Sequence, residues 1–289
     1  MSLVTENVSL SERTTLGMGG TALAEVEVRT EADLAELPAV IQRLGGRPFV
    51  LGAGSNLLAM DGQLDVVLLR CAIGTGPERL DATTVRVGGG VKLPRLLSWL
   101  AAQGLSGLEG LRGIPGSVGG AVAMNAGSWG VCLDDKLTRV RVWTSGEGAR
   151  WLRRGQWEAA YRSFLVPGAD EPLLVMDAEL QLQEGDTGEI KAAMAEYFRR
   201  KKAVQPISAR TCGCAFKNPE GDSAGRLLDK AGFRGVRVGG AGFSEMHANF
   251  LVNLGEGTAS EALELLELAE NAVRQRFGID LEREVRMLP

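Results

Sequence analysis

The chain has 289 residues, with 32 Lys and Arg against 36 Asp and Glu, for a formal net charge of -4. This slightly acidic balance argues against a nucleic-acid-binding protein, and no apolar run approaches the ~20 residues of a membrane-spanning helix. The length suggests two domains. The 39 glycines are roughly twice the usual share of ~7%, which indicates many close backbone approaches or positive φ angles.

Cysteine and histidine usage restricts the chemistry further. Two of the four cysteines, Cys212 and Cys214, are one residue apart, so we expect no disulfide framework and a reducing cytoplasm. The chain begins without a cationic segment followed by an apolar one, so we expect no signal peptide. We expect no metal site, because His247 is the single histidine and a C-x-C pair lacks the second ligand pair of structural zinc. His247 is predicted to be structural, with a hydrogen-bond partner, in a half-buried strand over residues 246–253.

Periodicity and capping signals predict alternating strands and helices along the chain. Strands are predicted at residues 24–28, 49–51, 66–69, 84–87, 140–143 and 173–182. Helices are predicted after Thr30, from Pro94, over residues 189–202 and 223–231, and from a capping box at Thr258 to Gly278. This alternation indicates an α/β or α+β class. A polar stretch at residues 183–188 is the best candidate for a domain boundary.

Two uncharged, glycine-rich loops are candidate phosphate sites. Residues 52–57 follow a buried strand, and such small residues let backbone N–H groups converge on an anion. A Rossmann fingerprint fails there, because Leu57 occupies the final glycine position. The second loop covers residues 113–120 and is followed by Asn125. Two such loops fit a dinucleotide held by backbone donors, whereas the alternative is a pair of structural turns.

Six stretches, in chain order, resemble the UDP-N-acetylenolpyruvoylglucosamine reductase family. They are Thr15-Leu16-Gly17, residues 52–57, residues 113–127, Tyr161-Arg162-Ser163, residues 213–219 and residues 282–286. The resemblance implies an α+β fold with a p-cresol methylhydroxylase-type FAD-binding domain and a C-terminal α/β substrate-binding domain, of the shorter type that lacks a tyrosine-bearing loop. We expect the first domain over residues 1–185, with subdomains of about 1–70 and 71–185, and the second over residues 186–289.

The resemblance also implies the cofactors, FAD and the hydride donor NADPH. The residues that it places against FAD are Gly52, Ala53, Gly54, Ser55, Asn56, Leu57, Gly113, Ile114, Pro115, Gly116, Ser117, Gly119, Gly120 and Asn125. In the implied reaction NADPH reduces FAD and leaves, and the enolpyruvyl UDP-sugar then enters the same site. Hydride goes to its β-carbon and an acid protonates its α-carbon, which yields UDP-N-acetylmuramate for peptidoglycan.

An enolate-like transition state requires fixed positive charge and a proton donor. By resemblance, Arg162 supplies the charge, because its planar cation binds carboxylates. Glu284 is the protonated or hydrogen-bonding partner of the enolate, kept so by burial. Cys214 is the proton donor, and Tyr161 and Asn218 join Arg162 in binding the substrate.

Two positions depart from the family pattern. Cys214 stands where many members have Ser; a thiol is the stronger acid, at the cost of oxidation, and the alternative is a small buried apolar residue. No residue separates Arg162 from Ser163, where the family usually has one, so the role of Ser163 stays open.

Other interpretations also stay open. The basic run at residues 199–202 is either a solvated helix end or an attractor for a diphosphate. A flavin oxidoreductase with another substrate and a non-catalytic nucleotide-binding module are the competing functions. We expect a monomer, with no nucleic-acid or membrane partner.

Overall fold

The computed structural model describes residues 3–74 and 76–289. The α-helices are α1 (Glu31–Leu44), α2 (Leu93–Ala102), α3 (Val118–Ala123), α4 (Thr187–Val204), α5 (Ala224–Lys230) and α6 (Ala259–Phe277). The strands are β1 (Leu3–Ser9), β2 (Thr21–Val28), β3 (Arg47–Val50), β4 (Leu57–Ala59), β5 (Gln63–Cys71), β6 (Glu78–Arg79), β7 (Thr84–Gly88), β8 (Leu105–Ser106), β9 (Gly127–Ser128), β10 (Val131–Cys132), β11 (Leu137–Thr144), β12 (Gly148–Arg153), β13 (Glu158–Ala160), β14 (Ser163–Leu165), β15 (Leu174–Gln181), β16 (Gln183–Glu184), β17 (Arg210–Cys214), β18 (Arg237–Val238), β19 (Ala241–Phe243), β20 (Phe250–Asn253) and β21 (Arg286–Leu288).

The chain forms two compact units. Unit 1 contains residues 3–6, Leu23–Ala53 and Asp65–Arg200, and unit 2 contains Asn7–Ala22, Gly54–Leu64 and Lys201–Pro289. Two short N-terminal segments therefore belong with the C-terminal part of the chain. The domain division at residue 185, with its two subdomains, stays a prediction.

Unit 1 is built around an antiparallel sheet in the order β12-β11-β15-β7-β6. Its main core is formed by the apolar faces of this sheet and of α2 and α3, including Val85, Leu96, Val118 and Val140. A second core buries one face of α1, at Leu34 and Leu37, against β2, β5 and β15. Alternating apolar residues of the strands and the i, i+3, i+4 stripes of the helices supply these faces.

Unit 2 contains the antiparallel sheet β17-β20-β19-β18. Helices α5 and α6 share its core, where Phe216 and Phe243 meet Leu265 and Leu266. In a separate pair, β21 runs parallel to β4, with Arg286 opposite Leu57. This pairing connects the end of the chain to a segment more than 200 residues earlier.

The helix termini confirm the local predictions. Thr30 and Thr258 cap α1 and α6 as capping boxes, and Gly278 ends α6 in the left-handed conformation with φ 68°. Pro38 lies inside α1 without splitting it. Apart from the strand predicted over residues 246–253, the predicted strands and helices are present, with bounds shifted by a few residues.

The strand predicted over residues 246–253 is wrong in its first half. β20 begins at Phe250, and His247 lies in the turn before it, where its carbonyl accepts a hydrogen bond from the Phe250 N–H (2.9 Å). The chain must reverse direction between β19 and β20, which antiparallel pairing requires. The expected imidazole partner is confirmed, because His247 Nδ1 accepts from the Asn249 N–H (3.2 Å).

Among the described residues, no helix is long and apolar enough to cross a membrane. In the same part of the chain, no group of three or more His, Cys, Asp and Glu side chains is placed to hold a metal ion.

Candidate active site

In unit 1 the two glycine loops are in contact. A Cβ added at Gly52 would lie 2.7 Å from Ser117 Oγ, so a larger residue at Gly52 would have to displace the Ser117 hydroxyl. Ser117 in turn caps α3, because its Oγ accepts a hydrogen bond from the Gly120 N–H (3.2 Å). The loop after β3 and the loop before α3 therefore form one glycine-lined surface.

This surface presents backbone donors. Within residues 3–74 and 76–289, the N–H groups of Gly52, Ala53, Gly116 and Ser117 donate to no protein acceptor. Converging backbone N–H groups without side chains suit the diphosphate of a dinucleotide, because they supply partial positive charge at close range. The residues present in unit 1 thus fit the FAD that the family resemblance implies.

Other residues predicted to bind FAD have roles in the fold. The Gly119 N–H donates to the carbonyl of Gly89 (2.7 Å), and a Cβ at Gly119 would crowd that carbonyl. Asn125 uses both ends of its amide inside the protein, because Nδ2 donates to the Ala160 carbonyl (3.1 Å) and Oδ1 accepts from the Asp134 N–H (3.2 Å). FAD contacts at these positions stay predictions. The remaining predicted positions of the second loop are the half-buried Gly113 and Ile114 and the exposed Pro115.

In unit 2 the rest of the first loop is anchored by hydrogen bonds. Gly54 has φ +63°, and a Cβ there would lie 2.0 Å from the Arg13 carbonyl oxygen, so the close approach requires glycine. Asn56 Nδ2 donates to the Glu284 carbonyl (3.0 Å). Ser55 is half-buried, and Leu57 is a core residue that begins β4. Within unit 2, this segment therefore supports the chain around Glu284.

Arg162 occupies a hairpin tip in unit 1. β13 and β14 pair up to Ala160 opposite Ser163, which leaves Tyr161 and Arg162 as a two-residue turn with φ +59° at Arg162. The missing residue between Arg and Ser thus makes a tight turn. The Arg162 guanidinium lies over the Tyr161 ring (4.8 Å), and its Nη1 is 3.6 Å from where a Cβ of Gly127 would be. Because Gly127 has no side chain, the space next to the Arg162 guanidinium is left open.

Cys214 ends the bulged strand β17 in unit 2. The register of β17 against β20 shifts between Thr211 and Cys214, and Gly213 lies in the left-handed region with φ +84°. Bulges with a glycine in this conformation redirect the following side chain and are common next to active sites. The thiol of Cys214 is half-buried. We infer that the bulge sets its direction.

Glu284 lies beside Cys214 along paired backbone. The Glu284 N–H donates to the carbonyl of Ala215 (2.8 Å), the residue after Cys214, and the Lys217 N–H donates to the Glu282 carbonyl (2.8 Å). Unit 2 therefore brings together the two motifs that the sequence separates by about 65 residues, 213–219 and 282–286.

Cys212 differs from Cys214 in its surroundings, although neither forms a disulfide. Burial, with smaller contributions from the neighbouring Cys214 and Glu284, raises the pKa of the Cys212 thiol to about 12. Cys212 therefore stays protonated and unreactive near neutral pH. This environment also places Cys214 and Glu284 close enough to interact electrostatically with the same buried sulfur.

Sequence reasoning missed Asn249. Its buried amide accepts from the Phe216 N–H (3.0 Å) and donates to the Phe216 carbonyl (2.8 Å), and its own carbonyl accepts from the Ala215 N–H (2.7 Å). Asn249 thereby holds the segment after Cys214. The signal that could have found it is an asparagine within an apolar run, because a buried amide needs several partners.

Asn218 is exposed at the other end of this segment. Its Oδ1 accepts from the Ala224 N–H (3.1 Å) at the start of α5, which fixes the orientation of its amide. Asn218 thus joins Cys214 and Glu284 in unit 2, whereas Tyr161 and Arg162 belong to unit 1.

Comparison with known protein families first identifies the general class of this protein. Residues 22–151 match a family described as FAD binding domain, which contains Gly52, Ala53 and the second glycine loop. The α+β fold class with an FAD-binding domain is confirmed.

Residues 205–288 match the family described as UDP-N-acetylenolpyruvoylglucosamine reductase, C-terminal domain. The chain is 50% identical to the UDP-N-acetylenolpyruvoylglucosamine reductase of Nitratidesulfovibrio vulgaris over 100% of its own length and 99% of that protein. It is 48% identical to that of Oleidesulfovibrio alaskensis, over 97% and 96% of the two chains. The crystal structure of the reductase from Thermus caldophilus superposes with a TM-score of 0.85 at 38% identity, covering 100% of both chains.

The chain belongs to the UDP-N-acetylenolpyruvoylglucosamine reductase family. The predicted resemblance is confirmed, and the match over the substrate half disfavours a flavin oxidoreductase with another substrate.

Proposed function

We propose that the chain reduces UDP-N-acetyl-3-O-(1-carboxyvinyl)glucosamine to UDP-N-acetylmuramate, with NADPH as the reductant and FAD as the bound cofactor. The observation that carries the proposal is the hydrogen bond from the Glu284 N–H to the carbonyl of Ala215 (2.8 Å) in unit 2, which joins the backbone of Glu284 to that of the residue after Cys214. It supports joint action of the thiol and the carboxyl group in a chain whose relatives over full length carry this reductase name.

The open N–H groups of Gly52, Ala53, Gly116 and Ser117 would hold FAD at its diphosphate. When bound, FAD supplies the hydride acceptor for NADPH and the hydride donor for the enolpyruvyl β-carbon.

The chain's own residues provide binding and proton transfer. Arg162 binds the carboxylate of the enolpyruvyl group, because a planar guanidinium offers two parallel N–H donors and a charge that opposes the developing enolate. Cys214 gives the proton of its Sγ to the α-carbon and is left as a thiolate, which regains a proton from solvent. Glu284 donates a hydrogen bond to the enolate oxygen while it is protonated.

The remaining residues limit side reactions and orient the substrate. Cys212 stays a thiol throughout, because burial holds its pKa at about 12, so it does not compete with Cys214 for the proton. Asn218 and Tyr161 are exposed and available to the sugar nucleotide. We assign them substrate contacts rather than proton transfer.

The experiment uses the flavin colour of the purified protein. We expect a yellow protein that is bleached by NADPH under anaerobic conditions and regains its colour when the enolpyruvyl UDP-sugar is added, with UDP-N-acetylmuramate as the product by mass spectrometry. Bleaching by NADPH without recovery of colour would show that the reduced flavin passes its hydride to an acceptor other than the enolpyruvyl UDP-sugar. A protein that takes up no FAD would contradict the proposal.

We further propose that this reaction serves peptidoglycan synthesis in the cytoplasm, and with it cell shape and division, and that the enzyme is a monomer without nucleic-acid partners. The support is the class of the substrate and the acidic net charge of -4. Light scattering of the FAD-loaded protein at micromolar concentration is expected to give a mass near 30.7 kDa, and a doubled mass would contradict the monomer.

A further inference from the structure

An ion pair links the segment that carries Glu284 to helix α6. Arg283, the residue before Glu284, donates from Nε and Nη2 to the two carboxylate oxygens of Glu270, with 2.8 Å between Nη2 and Oε2. Two parallel hydrogen bonds between a guanidinium and a carboxylate fix the orientation of both groups as well as their distance. The ion pair therefore joins the segment to the helix with a defined geometry.

This ion pair is more sheltered from water than its neighbour on the same helix. The side chains of Arg283 and Glu270 are 26% and 25% exposed. Those of Arg274 and Asp280, which also join α6 to the chain that follows it, are 66% and 74% exposed. Exposed ion pairs contribute little, because water and salt screen the charges. Of these two pairs, we therefore expect the Arg283–Glu270 pair to be the one that fixes the chain.

The backbone around Glu284 has weak support of its own. The chain between α6 and β21, which lies wholly in the described part, forms no helix or strand and pairs with Phe216 through an isolated bridge at Arg283. The N–H groups of Glu284 and Val285 share one acceptor, the carbonyl of Ala215, at 2.8 and 3.3 Å. The side chains next to Glu284 must therefore supply part of its support.

Both neighbours of Glu284 are anchored toward α6. Val285 is buried in the core that contains Leu266 of α6. Arg283, on the other side, is held by Glu270. Glu284 can therefore shift little unless one of these two contacts breaks.

We propose that Arg283 and Glu270 are positioning residues for the candidate active site, whose ion pair holds Glu284 where its carboxyl group meets the enolate. This proposal rests on the proposed function, in which Glu284 donates a hydrogen bond to the enolate oxygen. The ion pair also neutralises the Arg283 charge. An unpaired guanidinium beside Glu284 would favour its carboxylate form, which cannot donate that hydrogen bond.

The test follows reoxidation of the flavin by rapid mixing. The FAD-loaded protein is reduced with NADPH under anaerobic conditions and then mixed with the enolpyruvyl UDP-sugar. Glu270→Gln removes the ion pair at nearly constant size and should slow reoxidation about 10-fold, whereas bleaching by NADPH keeps its wild-type rate. Arg283→Lys keeps the charge without the planar fork and should lie between Glu270→Gln and the wild type. Asp280→Asn breaks the exposed pair and is the matched control, expected within about twofold of the wild type.

A second background shows whether the ion pair acts through Glu284. In Glu284→Ala, which is itself slow, adding Glu270→Gln should slow reoxidation by no more than about twofold, because residues that act as one unit are not additive. Equal slowing by Glu270→Gln in both backgrounds would assign the pair to general stability and overturn the proposal. A wild-type rate in the single variant Glu270→Gln would also overturn it.

Hydrogen exchange measures the same support without turnover. In the FAD-loaded protein, Glu270→Gln should lower the protection of the peptide that contains Glu284, and Asp280→Asn should not. Unchanged protection in Glu270→Gln would contradict the proposal. A wild type that shows no reoxidation would reject the proposed function and the positioning role together, whereas failure of the positioning role alone leaves wild-type reoxidation intact.

Discussion

In unit 1 the candidate substrate-binding side chains, Tyr161 and Arg162, stand at a hairpin tip, whereas in unit 2 Cys214 and Glu284 stand on segments joined by backbone hydrogen bonds. Arg162 occupies a two-residue turn with a positive φ. Cys214 follows a glycine bulge in β17, and the segment after it is held by the buried amide of Asn249 and by the Glu284 N–H.

This difference predicts how a substitution at each site changes stability and function. A hairpin tip ends in solvent, and a residue there with left-handed backbone costs on the order of 1–3 kcal/mol. Replacing it with a residue that favours this conformation therefore removes function without loss of stability. The segment after Cys214 is held by several hydrogen bonds from Asn249 and Glu284. Loss of these hydrogen bonds therefore affects stability and function together.

The largest expected effect is at Cys214. Cys214→Ala should slow product formation about 10²- to 10⁴-fold, because it removes the general acid, while reduction of the flavin by NADPH keeps its wild-type rate. Cys214→Ser should retain much of the activity, because it restores a protic group. Rapid-mixing flavin absorbance separates the two steps. If the flavin of the Ala variant reoxidises with substrate at the wild-type rate, Cys214 is not the proton donor.

A smaller loss is expected at Arg162, with no cost in stability. Arg162→Asn should lower kcat/KM for the enolpyruvyl substrate about 100-fold, and its free energy of unfolding should be unchanged or higher, because asparagine tolerates positive φ. Arg162→Lys keeps the charge without the planar fork and should be intermediate. Steady-state kinetics and urea unfolding supply the two measurements. A destabilised Asn variant would contradict the expectation that a residue at this hairpin tip can be replaced without loss of stability.

Asn249 should show the opposite behaviour. Asn249→Ala leaves the buried Phe216 N–H and carbonyl without partners, so the free energy of unfolding should fall by about 2–4 kcal/mol, as measured by urea denaturation. Hydrogen exchange should show the lost protection in unit 2, around Ala215 and Phe216. Asn249→Asp retains an acceptor for the Phe216 N–H and is the matched control, expected to lose less. An Ala variant with wild-type stability would show that the hydrogen bonds of Asn249 are not needed to hold the segment after Cys214.

The smallest effect is a dependence of stability on pH through His247. Burial, and then the positive charge of Arg234, lower the pKa of His247 below its ordinary value of 6.5. The unfolded chain therefore binds the proton more readily, so stability is complete above pH 6.5 and falls as the pH drops toward the lowered pKa. Protonation also removes the Nδ1 acceptor of the Asn249 N–H.

Urea unfolding between pH 5 and 7.5 tests this dependence. His247→Gln should be less stable than the wild type at pH 7.5. Its free energy of unfolding should depend less on pH near pH 6. A wild-type slope that persists in the variant would assign the effect to another group.

Local signals in the sequence sufficed for the longer helices, for most of the longer strands and for the order of the motifs. The capping boxes at Thr30 and Thr258, the stop at Gly278 and the apolar stripes act within a few residues of one another, which is why they can be read without a fold. The same holds for the glycine loops, because uncharged segments rich in small residues indicate exposed backbone donors. The motifs also identify the family.

Only the tertiary structure decided which of these residues meet and what holds them. The contact of Gly52 with Ser117, the carbonyl of Arg13 against Gly54 and the amide of Asn249 around Phe216 join residues that are far apart in sequence. The bulge before Cys214 depends on pairing with β20, and the turn position of Arg162 depends on the hairpin register. Such contacts are long-range packing and hydrogen bonding, which no local periodicity records. The sequence by itself therefore determined the elements and the chemistry of the motifs, and the fold determined their partners.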